Sequence, residues 1–195
     1  MQTHDTHADP YLAEPSGSYE ERRIDYLEYC AAHAPGGRTG FFSQIARLEL
    51  GRPIDEQPFQ EALALVDARV DCSDFSIAGL LRILYRYGDS PWLPAELRAA
   101  IEDRVLKFKY WWDEASGDNR RCYWTENHQI LFHADELLAA QLFPQATFAN
   151  SGRDAAYHAE HALHLIRRWF DFRARFGFSE WLSNNYFEED LLALV

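Results

Sequence analysis

Apolar residues recur at helical spacing along nearly the whole chain, and nowhere do they alternate with polar ones over the length of a strand. Phe59, Leu63, Val66 and Val70 are spaced by four, three and four residues, which places them on one face of a helix. Ile24, Tyr26 and Leu27 start a similar stripe behind Ser18, a residue suited to cap a helix, with Glu20 and Glu21 suited to the positive end of its dipole. Breakers divide the pattern: Pro35-Gly36-Gly37, Gly51 with Pro53, Gly88, Pro144 and Gly177. Between them the spacing predicts helices from Tyr19, over 41–50, 55–70 and 75–87, after Pro94, over 125–141 and 154–175, and from Asn185. Ser73 or Asp74 is the expected cap of the fourth, and Glu188 a capping-box partner for Asn185. The expected fold is therefore all-α, an array of seven or eight helices in antiparallel hairpins. Residues 1–18 have no periodicity and read as an arm, and 19–195 as a single all-α domain.

Charge narrows the partners. With 19 Lys+Arg against 31 Asp+Glu the chain carries −12, and no basic cluster is present to release counterions from nucleic acid or to meet an anionic membrane surface. No apolar run approaches the roughly 20 residues of a membrane span. The start, MQTHDTHADP, is polar and acidic and does not read as a signal peptide, so a cytoplasmic location is expected, with export left open if the chain belongs to a longer protein. Cys30, Cys72 and Cys122 are odd in number and far apart, which suggests neither a disulfide framework nor a metal knuckle. At the other end, Leu191, Leu192, Leu194 and Val195 form an apolar stripe without a stop signal. Either this helix docks on the body or it continues in a longer protein; the second is the expectation, and an exposed stripe of this kind could pair with another copy.

Candidate chemistry is concentrated between about 107 and 190. Tyr110, Trp111, Trp112, Tyr123 and Trp124 flank a polar connection. Such rings can stack on sugars or simply fill a core; core packing is the expectation for Trp111 and Trp112, and Trp124 stays open between the two. At 100° per residue Asn127 falls on the stripe of Ile130, Leu131, Ala134 and Leu138, at its amino end, with Glu126 and His128 to either side. A buried amide there must find partners, since leaving it unpaired costs roughly 1–3 kcal/mol. These three residues can form the polar mouth of a helical bundle, or serve only as dipole partner and cap. The loop that supplies Glu180, Trp181, Ser183, Asn184, Asn185 and Tyr186 can be a substrate edge or a capped turn. His158, His161 and His164 share one helix but do not converge, and their spacing departs from the i, i+4 pair of a zinc helix, so no metal is expected. His158 reads as a core histidine that could also face the mouth beside Asn127. No phosphate-binding glycine loop is present, and no cofactor is expected.

YWTENHQILFHADELLAAQLFP, NSGRDAAYHAEHA, RFGFSEW and SNNYFEED together resemble large bacterial proteins of the (α/α)-toroid type, akin to heparinase-like and alginate-lyase-like polysaccharide enzymes. The resemblance spans about residues 70–190 and implies a partial toroid, the segment of a longer one. It implies an uronic acid-containing glycan as substrate and β-elimination as the reaction. Asn127 would hold the substrate carboxylate, His128 would take the α proton and Tyr186 would protonate the leaving oxygen. Trp124 and Trp181 would stack sugars, with Arg121, Asn184 and His158 completing the binding set and Arg120, Arg121 and Arg153 offsetting the acidic charge. Two alternatives stand beside it: a glycoside hydrolase using Glu126 and Glu180 as its carboxylate pair, and a non-catalytic helical scaffold that binds glycan or a partner.

Overall fold

A computed structural model describes residues 16–114, 120–180, 182–183 and 185–195. The protein is all-α. Eight α-helices are seen among the described residues: α1 Tyr19–Ala32, α2 Phe42–Glu49, α3 Gln57–Asp67, α4 Ser73–Tyr87, α5 Ala95–Lys107, α6 Glu126–Leu142, α7 Ala155–Phe176 and α8 Tyr186–Leu194. A 3₁₀ turn at Gly37–Thr39 and a hairpin of β1 Thr147–Phe148 with β2 Arg153–Asp154 complete the described elements. Pairs of two residues are too short to leave an alternation in the sequence, so this hairpin was not expected. It buries Phe148 and delivers Asp154, whose side chain caps α7 by accepting from Tyr157 N at 2.9 Å. None of the described helices is long and apolar enough to cross a membrane.

The core lies where α3, α4, α5 and α6 meet. Phe59, Leu63 and Val66 pack there as their spacing predicts, against Ile77, Leu80, Leu81, Ile101, Val105 and Phe132. Phe41 enters from the start of α2, and Gly79 makes room for it: a Cβ at that position would lie 2.7 Å from Phe41 Cζ. Substituting alanine there would force one of the two elements aside.

Four expectations are corrected. Ser18 does cap α1, in a capping box with Glu21, but α1 buries none of its residues, and Ile24 and Tyr26 stay exposed. That helix lies chiefly along α2, tied by the Arg23–Glu49 ion pair and by Arg52 on Glu28 at 2.7 Å. Cys72, rather than Ser73 or Asp74, occupies the cap position of α4, in the left-handed region at φ 65°. The expected one-sided stripe on α6 is also too narrow. Packing by α4, α7 and α8 buries His133, Asp135 and Glu136 as well, and leaves Leu138 exposed and Ala134 half-buried. Trp111 and Trp112 part ways: Trp111 packs on His133 with ring centres 4.3 Å apart, while Trp112 is exposed.

Candidate active site

The amino ends of α4 and α6 open into one cavity, and α8 closes it from the other side. Asp71 joins the two helix entrances, its Oδ1 accepting from Cys72 N at 3.1 Å and from Cys122 N at 2.7 Å. The cavity has a volume of about 900 Å³. Asn127, His128, Glu180 and Tyr186 line it together with Asp71, Cys72, Glu188 and Glu189. No lysine or arginine among the described residues does so.

His128 is fixed from behind. Its Nδ1 lies 2.5 Å from Oδ2 of the fully buried Asp74, and its Nε2 lies 3.9 Å from Cys72 Sγ. Burial opposes a charged imidazole, but the hydrogen bond and charge of Asp74, with Asp71 and Glu189 beyond, outweigh it and raise its pKa above the usual histidine value. Burial likewise raises the Asp74 carboxyl, against the pull of His128. With Nδ1–H donated to the carboxylate, Nε2 keeps its lone pair for a proton transfer. Asn127 is oriented on both sides: Thr125 Oγ1 donates to its Oδ1 at 2.8 Å, and its Nδ2 donates to Glu189. Tyr186 is half exposed at the rim, its backbone N–H donating to Ser183 Oγ at 3.2 Å. That bond caps α8 in place of the expected side chain of Asn185, which makes no capping hydrogen bond.

Behind the cavity lies a carboxylate group. Glu126 is buried in an ion pair with Arg173, and its Oε2 accepts from Ser179 N at 2.9 Å and Ser179 Oγ at 2.7 Å. Oxygens of Glu126, Glu180 and Asp190 all fall within 4.8 Å of one another. Oxygen ligands at such spacing suit a hard cation, although Arg173 already supplies positive charge to Glu126. Burial, then the charge of Glu189, raises the Glu180 carboxyl. Asp190 rises to about 6, through burial and then the charge of Glu180.

Three of the expected binding residues, Arg121, His158 and Trp124, are corrected. Arg121 is fully buried, donating to Lys109 O at 2.7 Å with its guanidinium 4.4 Å from the Phe108 ring, and it does not reach the cavity. His158 is sealed inside the core. Its Nδ1 lies 2.6 Å from Glu136 Oε1, its Nε2 2.7 Å from Ser151 Oγ, and its ring stacks on Phe148. His161 meets the same Glu136 carboxylate at 3.0 Å, so two of the three α7 histidines do converge, on a glutamate of another helix. Arg153 lies over Tyr157, outside the cavity lining, and Trp124 is exposed and also outside it. Trp181 and Asn184 lie outside the described residues.

Sequence reasoning missed Cys72, Asp74 and Glu189. The signal was Asp71-Cys72-Ser73-Asp74 directly before a strongly apolar helix, which reads as a cap and nothing more until His128 is brought against it. Compared with known proteins, the chain matches no family model, no curated protein and no solved structure.

Proposed function

We propose that the cavity is a glycan-directed active site working by β-elimination on a uronic acid residue, on a segment of an (α/α)-toroid. One observation carries this reading: the Asn127 amide already grips a carboxylate, that of Glu189, in the same cavity that His128 and Tyr186 line. A substrate carboxylate would take the place of Glu189. His128 Nε2 would then remove the proton α to it while the Asn127 amide stabilises the enolate-like charge. The Tyr186 phenol would pass its proton to the departing glycosidic oxygen. The acidic lining opposes a polyanion at long range, so a methyl-esterified uronate suits this cavity better than a fully charged one. Glu180, with its raised pKa, can in its protonated form donate a hydrogen bond to the substrate carboxyl.

The test is incubation with free and methyl-esterified polyuronates. Unsaturated ends absorbing in the ultraviolet are expected, more from the ester, and His128→Asn and Tyr186→Phe should each lower the rate by about 100-fold or more, as for loss of a general acid or base. New reducing ends without that absorbance would overturn the elimination in favour of hydrolysis. The hydrolytic reading rests on the closeness of Glu126 and Glu180, and is weakened by the bonds that already occupy the Glu126 carboxylate. Binding of glycan with no cleavage would leave the scaffold.

A further inference from the structure

We infer that Cys72, His128 and Asp74 form a nucleophilic triad, and that the cavity carries acyl transfer through a Cys72 thioester. The three groups come from two helix entrances and stand in relay order: Cys72 Sγ 3.9 Å from His128 Nε2, and His128 Nδ1 2.5 Å from Asp74 Oδ2. This is the arrangement of nucleophile, base and orienting carboxylate that recurs on unrelated folds. Cys72 lines the cavity beside His128, whereas Asp74 is fully buried beneath the ring.

The backbone supports the assignment. Cys72 is held at φ 65°, a conformation disfavoured for a residue with a side chain, and such conformations gather where a side chain must be aimed. It directly precedes α4, a helix of 15 residues whose first N–H groups lack intrahelical partners, which favours a thiolate and an oxyanion formed next to it.

The chemistry balances without a co-reactant other than water. His128 Nε2 takes the thiol proton, and the sulfur attacks the carbonyl carbon of an ester or thioester to form the C–S bond. The tetrahedral oxyanion collapses, the bond to the leaving oxygen or sulfur breaks, and the leaving group departs with the proton from His128. Water, deprotonated by Nε2, then attacks the Cys72 thioester; the C–S bond breaks, the carboxylic acid leaves and the thiol regains its proton. Asp71, Glu180, Glu188 and Glu189 around the opening favour a neutral or amine-bearing acyl donor over an anionic one.

The inference is independent of the glycan reading although both use His128, and its readouts are carried by the thiol alone. Iodoacetamide labelling of the full chain at pH 6, resolved by cysteine, should modify Cys72 about ten-fold or more faster than Cys30. His128→Asn and Asp74→Asn should abolish that difference. With p-nitrophenyl acetate, intact mass should show one acetyl group on Cys72 that is absent in Cys72→Ala, and an ester with a carboxylate-bearing acyl group should react more slowly. Equal labelling of Cys72 and Cys30, or no acetyl adduct on the wild-type chain, overturns the triad whatever polyuronates do. Should Asp74→Asn fail to fold, the wild-type adduct and the His128→Asn rates decide.

Discussion

Among the described residues two buried histidine–carboxylate pairs have nearly equal length, 2.5 Å between His128 and Asp74 and 2.6 Å between His158 and Glu136. They differ in what the second ring nitrogen meets. In His158 it is taken by Ser151, the ring is stacked on Phe148, and no surface is exposed. In His128 it faces a thiol at the wall of a cavity. The His158–Glu136 pair holds α6 to α7; the His128–Asp74 pair can move a proton to something that arrives from outside. A buried imidazole on a carboxylate is thus the same element in both places, and access at the far nitrogen separates support from chemistry.

The comparison breaks if the two pairs respond alike to loss of their carboxylates. Glu136→Ala strips the acceptor from both His158 and His161 in a sealed site and should cost about 3–5 kcal/mol in urea unfolding. Asp74→Ala should cost less, about 1–3 kcal/mol, because cavity water can reach His128. Equal losses would remove the distinction.

The next largest effect is expected from His133, held between the two pairs on α6. Burial lowers its pKa from 6.5 to about 4, so it is neutral in the fold. Above pH 6.5 the ring is neutral folded or unfolded and has no effect; as the pH falls towards 4 the unfolded chain binds the proton first, and the fold loses about 3 kcal/mol. His133→Gln should flatten that part of the stability–pH curve.

Asp190 behaves in the opposite sense. With its carboxyl raised from 3.8 to about 6, ionisation is disfavoured in the fold, and the penalty is in full force above pH 6 and gone below 3.8. Asp190→Asn should therefore raise the melting temperature at pH 8 and leave it nearly unchanged at pH 4, by calorimetry. The smallest effect sharpens the comparison most directly. His128 should titrate above 6.5 by NMR, and stability from its pair with Asp74 is present below 6.5 and lost as the pH rises through the raised value. Asp74→Asn should bring that titration down.

Helix positions were legible because breakers and apolar spacing act locally: Gly177 ends α7 and Pro144 follows α6 as their sequence neighbours require. Burial was less legible. Ile24 and Tyr26 look like a core stripe and are exposed, since α1 has little besides α2 to pack against, while Glu136 and Asp135 look like a solvent face and are buried by three neighbouring helices. Of the expected site, Asn127, His128, Glu180 and Tyr186 meet at one cavity, since the packing of α8 on α6 brings the loop before α8 and the start of α8 against the amino end of α6. Arg121 and His158 do not, because a guanidinium and an imidazole can be satisfied just as well by a backbone carbonyl or a buried glutamate.

The sequence by itself determined the helices, their order and the polar residues at their amino ends, for these depend on propensity, caps and spacing within a few residues of chain. Only the tertiary structure decided which of those residues share a space. Cys72 and His128 are 56 positions apart, and no local rule relates them. What joins them is the packing of α4 against α6, which leaves one histidine facing a cavity, whereas the packing of α7 on α6 and the stacking on Phe148 shut the other away.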